Sequence, residues 1–168
     1  LILWLLRHAK TVPDPPPGKT DHERPLAPRG RRDADALGRR LEEDRLGFGA
    51  DALPGLVLSS TSVRTVQTAE RVLPGLGDPP VDYRRSLYDA SPEAVLDELR
   101  AVDDEIPAVM VVGHNPTAQT LAVTMDRDPA ERRAFPTCAL VVWRLPVDHW
   151  ADVAEGTGEL LGFFSPPY

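Results

Sequence analysis

Cysteine is almost absent from this sequence: Cys138 stands alone, no internal disulfide can form, and a reducing, cytoplasmic setting is the expectation. No apolar run is long enough to span a bilayer, so no transmembrane helix and no membrane partner are expected. Positive charge is in deficit as well. Against 26 Asp and Glu there are 19 Lys and Arg, and the net charge of -7 argues against the broad basic surface that nucleic acid demands. A local basic pocket is still compatible with that balance. The opening run Leu1 to Leu6 lacks the basic leader and small-residue cleavage site of a signal peptide. The chain starts with Leu1 rather than Met, and a residue or two is expected to have preceded it.

What is present suits one soluble domain over residues 1–168, with 42% hydrophobic and 27% charged residues. Leu1 to Leu6 is apolar without alternation, the pattern of a strand covered on both faces. "TVPDPPPGKTDHERPLAP" follows, too rich in proline for helix or central strand, and is expected to form a long functional loop. From Pro28 to Leu46, Ala34, Leu37 and Leu41 recur at helical spacing. "LVLSS" predicts a strand, and a helix capped by Thr61 or Ser62 follows it. A short strand at "VDY" precedes a helix that starts at Ser91 and Pro92, and "AVMVVG" predicts another strand, with a helix beginning near Asn115 and Pro116. "CALVVWRL" and "ELLGFF" are late strands. Strands alternating with helices predict an α/β fold of three α/β/α layers around a mainly parallel sheet.

In such sheets ligands bind outside the carboxyl ends of the strands. Three runs end there in polar clusters: "RH" after Leu6, "SSTSVR" after Leu58 and "GHNP" after Val112. Singly, each is an ordinary strand end, and a lone histidine there is more often structural. Together they bring two imidazoles, His8 and His114, and two guanidiniums, Arg7 and Arg64, to one edge. Arginine favours planar, bidentate recognition of phosphate or carboxylate, and the helix start after "GHNP" aims free N–H groups at the same place. The pattern predicts an oxyanion pocket, best suited to a phosphoryl group. An imidazole with one free nitrogen can attack phosphorus there, and the second can hydrogen-bond the transferring group.

At these residues the sequence resembles the histidine phosphatase superfamily, which includes the cofactor-dependent phosphoglycerate mutases. "LLRHAKT" is similar to its nucleophile motif, with Ala9 in place of the commoner glycine, "SSTSVRTVQTAE" to its second motif and "VVGHNP" to its third. "RHAK", "ERPLAPRG" and "LYDAS", in this order, resemble the short phosphohistidine phosphatases of the SixA type. The resemblance implies a phosphoglycerate mutase-like fold and a metal-independent phosphohydrolase without cofactor. His8 would be the nucleophile, Arg7 and Arg64 the phosphate clamp and His114 the assisting group.

Asn115 is a further substrate-binding candidate. Arg24 either reaches the phosphate from the loop, as the resemblance implies, or pairs with a surface carboxylate. Larger members carry an acidic residue in an inserted region that protonates the leaving oxygen, and here that segment is only "YRRSLYDASPEA". Asp89 is the nearest proton-donor candidate, set against a plain turn role. Asp14, Asp21 and Glu23 are weaker ones.

A missing acid suits a phosphoramidate, because imidazole, with a pKa of about 6.5, leaves without the help that an alkoxide needs. The expected substrate is therefore protein phosphohistidine, with small phosphate esters as the alternative. A non-catalytic phosphoprotein-binding module is the reading from another class. The sequence specifies no oligomeric state.

Other patterns carry less. Cys138 and Arg144 match the C-x5-R spacing of cysteine phosphatases, but the run between them is strand-forming. "PGKT" lacks the upstream glycine of a phosphate-binding loop, and "DHE" has no second ligand cluster to hold a metal. His149 is expected to be structural.

Overall fold

The computed structural model describes residues 1–128 and 134–168. Its six strands are β1 (Ile2–Arg7), β2 (Leu56–Ser60), β3 (Val81–Arg84), β4 (Ala108–Gly113), β5 (Leu140–Arg144) and β6 (Glu159–Phe164). They form one sheet in the order β3-β2-β4-β1-β5-β6. β1 to β4 run parallel, whereas β5 is antiparallel to β1, and β6, antiparallel to β5, closes that edge. The helices are α1 (Pro28–Phe48), α2 (Val63–Val72), α3 (Pro92–Arg100) and α4 (Thr117–Thr124). α4 begins just after the expected Asn115 and Pro116, because Pro116 supplies its N-cap.

Alternation along β1 divides the core. Trp4 and Leu6 pack with Ala34, Leu37 and Leu41 of α1 and Ala69 of α2. Leu3 and Leu5 face the other way, onto Val95 and Leu99 of α3 and Leu121 of α4. Both faces are covered, so the unbroken apolar run at the N-terminus is a central strand in a three-layer α/β/α molecule. Ser62 caps α2 by accepting from the Thr65 N–H, and Ser91 caps α3 by accepting from the Ala94 N–H.

The proline-rich segment leaves the sheet after β1 and runs into α1. A bridge between Thr11 and Leu26, with the Val12 N–H donating to the Pro25 carbonyl at 3.1 Å, clasps its base. Gly30 in the first turn of α1 presses on this clasp. A Cβ there would lie 2.0 Å from the Lys10 carbonyl oxygen, so only glycine lets the helix approach the segment that follows His8. No helix among the described residues is long and apolar enough to cross a membrane.

Candidate active site

β1 and β4 are neighbours in parallel register, with Arg7 opposite Gly113, and therefore deliver His8 and His114 side by side. The His8 N–H donates to the Gly113 carbonyl at 3.1 Å, and the His8 carbonyl accepts from the Cys138 N–H at 3.0 Å. The two imidazole centroids lie 5.5 Å apart. Arg64 enters from the first turn of α2, and only 5% of it is exposed.

The His8 ring is fixed by its own neighbour. Its Nδ1 lies 2.8 Å from the Ala9 carbonyl oxygen, which can only accept, so Nδ1 carries the proton and Nε2 keeps its lone pair. Ala9 is in turn tethered: its N–H donates to Thr68 Oγ1 at 2.9 Å, one helical turn beyond Arg64. Burial, reinforced by the nearby positive groups, lowers the His8 pKa to about 3, so the ring is neutral at physiological pH. Burial and the Arg64 charge likewise lower His114 to about 4. His114 thus meets a ligand as a neutral donor, not as the cation that would offset charge by itself.

Several polar side-chain atoms here are unsatisfied within the protein. Among the described residues, Arg7 Nε, Arg64 Nε and both ring nitrogens of His114 are buried without a hydrogen-bond partner. Such groups are costly unless something accepts from them. Their residues, with His8, border a cavity of about 320 Å³, whose lining also includes Arg24, Asn115, Lys10, Thr11 and Thr137. No carboxyl side chain lines it among the described residues. A tetrahedral oxyanion could accept from the guanidiniums and from the one His114 nitrogen that carries a proton.

Arg64 is aimed from behind by Asp21. Its Nη1 donates to the Asp21 carbonyl at 2.9 Å and its Nη2 to Oδ2 at 3.1 Å, while Nε has no partner. Asp21 also accepts from the Tyr88 hydroxyl at 2.8 Å and from Arg24 Nε at 3.1 Å. Tyr88 first, and then the two guanidiniums, hold the Asp21 carboxyl down to about 2. It is an ionised bracket rather than a proton donor. The Tyr88 ring stands edge-on to His114 at 5.7 Å and to His22 at 4.9 Å, and His22 Nε2 pairs with Thr61 Oγ1 at 2.8 Å.

The structure thus brings together Arg7, His8, Arg64, His114, Arg24 and Asn115. Arg24 pairs with Asp21 and also lines the cavity. Asp89 is not brought in. It is exposed in a left-handed turn at φ 56° and lies on the rim of a neighbouring cavity. Sequence reasoning passed over Tyr88, Lys10, Thr11 and Thr137. Tyr88 lies in "LYDAS", but its partner Asp21 is 67 residues away in sequence.

The competing patterns separate in space. Cys138 is fully buried, its thiol pushed up to about 12 by burial, whereas Arg144 is exposed at the far end of β5, 3.8 Å from Glu159. His149 pairs on the surface with Asp104 at 2.9 Å. No group of three or more His, Cys, Asp or Glu side chains among the described residues is placed to hold a metal ion.

Residues 3–93 match the histidine phosphatase superfamily (branch 1). A Mycobacterium tuberculosis protein is 39% identical over 169 residues, which cover 96% of this chain and 99% of that one. Among solved structures, a protein assigned as phosphohistidine phosphatase SixA from Agrobacterium tumefaciens is similar with a TM-score of 0.79 at 28% identity, covering 98% and 97% of the two chains. Another so assigned, from Nakamurella multipartitia, gives 0.79 at 30% identity over 99% and 96%.

Proposed function

The chain belongs to the histidine phosphatase superfamily and is a phosphatase acting on a phosphorylated substrate; from that premise we propose that it removes phosphate from phosphohistidine on another protein, through a covalent intermediate on His8. The observation that carries this reading is the His8 ring: neutral, locked by the Ala9 carbonyl, with Nε2 free beside unsatisfied donors.

In the first step His8 Nε2 attacks phosphorus as the bond from phosphorus to the substrate imidazole breaks. The departing imidazole already holds a proton on its other nitrogen and leaves neutral. Arg7, Arg64 and the neutral His114 donate to the phosphoryl oxygens as charge shifts among them. In the second step water attacks phosphorus and the bond to Nε2 breaks. His8 also leaves neutral, because Nδ1 has kept its proton against the Ala9 carbonyl throughout. Water supplies both protons of the dihydrogen phosphate released. Neither step calls on a carboxylic acid. That agrees with a cavity whose described lining holds no carboxyl group and with an Asp21 ionised behind Arg64.

The test compares a phosphohistidine protein, an aryl phosphate and a panel of small phosphate esters, all in chelator. Phosphohistidine is expected to turn over fastest, with an acid-labile phosphoenzyme after quenching that is missing in His8→Ala. Activity that survives in His8→Ala, or an acid-stable phosphoenzyme, excludes His8 as the nucleophile. Faster turnover of the small esters excludes phosphohistidine as the preferred substrate.

A further inference from the structure

Beside the phosphoryl cavity lies a second one, of about 370 Å³, which shares His114 and Asn115 with it. Its floor is the sheet, through Leu5 of β1 and Val111 of β4, and its walls are Val95 of α3 and Leu121 of α4. Asp89 is the only carboxylate among its described lining residues, and it is exposed on the rim. A concave, mainly apolar space with a few polar groups at one end is the usual form of a ligand subsite. The volume is ample for a leucine or phenylalanine side chain.

We infer that this cavity receives an apolar side chain of the partner protein, from a residue close in sequence to the phosphohistidine. The inference rests on the reading that phosphohistidine of another protein is the substrate. Because the two cavities share a wall at His114 and Asn115, one ligand can place its phosphoryl group against the arginines and an apolar arm against Val95 and Leu121. The rim fits a polypeptide. Asn115 Oδ1 already accepts from the Gln119 N–H at 3.1 Å, and the side-chain amide nitrogen has no partner of its own among the described residues, so it can donate to a backbone carbonyl. Asp89 adds the repulsive half of the selection, since an acidic residue beside the phosphohistidine would bring its carboxylate toward a like charge.

The experiment uses the whole chain and a set of phosphohistidine peptides that differ only at one position within two residues of the phosphohistidine, occupied by leucine or by aspartate. At one of these positions kcat/KM is expected to favour leucine by about tenfold, the effect of burying one apolar side chain. In Val95→Phe, which fills the cavity from its own wall, that ratio falls toward one. In Asp89→Asn the aspartate peptide gains. Equal rates for leucine and aspartate at every position would overturn the inference and leave phosphohistidine as the substrate. A preference that persists unaltered in a folded Val95→Phe would also overturn it. Turnover of no phosphohistidine peptide at all would overturn the substrate reading, and this inference with it. If hydrolysis is confined to apolar esters such as naphthyl phosphate, the cavity belongs to a small molecule and the peptide assignment fails. The leucine–aspartate comparison on the wild-type chain decides the matter even if Val95→Phe does not fold.

Discussion

At the scale of single residues the decisive property is that His8 and His114 are both neutral. An ordinary imidazole titrates near 6.5, and an enzyme relying on one as nucleophile loses activity as pH falls through that value. Here burial lowers the two groups to about 3 and about 4. Protonation removes the lone pair on Nε2, so the acid limb lies where His8 protonates. The expected kcat/KM profile on phosphohistidine shows no fall between pH 6.5 and about 5 and declines on the acid side only below that. A midpoint near 6.5 would show that His8 is not held neutral by burial. These residues were legible in the sequence because each sits at the end of an apolar run, where strand geometry alone places it on the ligand edge. Asp21 and Tyr88 were not legible in their bracing role. The bond between them joins positions 67 residues apart, and no periodicity in either segment signals it.

At the scale of elements, the site depends on how helices press on the segment after β1. α2 acts twice, through Arg64 at the cavity and through Thr68, whose hydroxyl holds Ala9 and so the carbonyl that orients His8. α1 acts through Gly30. A methyl group added there would meet the Lys10 carbonyl at 2.0 Å, so Gly30→Ala is expected to cost about 1–3 kcal/mol of stability. The displacement falls on the residues next to His8, so kcat should drop further than the loss of folded protein explains. Urea denaturation beside kcat measured on the folded fraction checks this. The helix itself was plain in the sequence, from Ala34, Leu37 and Leu41. The role of Gly30 was not, because close approach is a property of two segments, and only one of them is the helix. The same holds for the cavity between α3 and α4, whose depth comes from the gap between helices rather than from any motif.

At the scale of the whole molecule, the two neutral histidines tie stability to pH. Their pKa values are lower in the native chain than in the unfolded one, so between about pH 4 and 6.5 the unfolded chain binds more protons. Stability therefore rises with pH through that window and is lost as pH falls. The urea midpoint is expected to be lower at pH 5 than at pH 7, and the difference should shrink in His8→Asn. Composition and the alternation of strands and helices were enough to indicate the three layers. The antiparallel edge of β5 and β6 was not indicated, because an apolar run carries no direction.

The strand order has a consequence for how the protein comes into being. β1 is held between β4, whose first partner for Ile2 is Ala108, and β5, whose partner for Ile2 is Arg144. β1 is made before both of its neighbours, so its seat in the sheet is not complete until β5 has followed it, more than 130 residues later. Phosphatase activity should accordingly appear in the last kinetic phase of refolding, after helical circular dichroism has recovered. A nascent chain stalled before residue 140 should be inert, however complete its set of arginines and histidines.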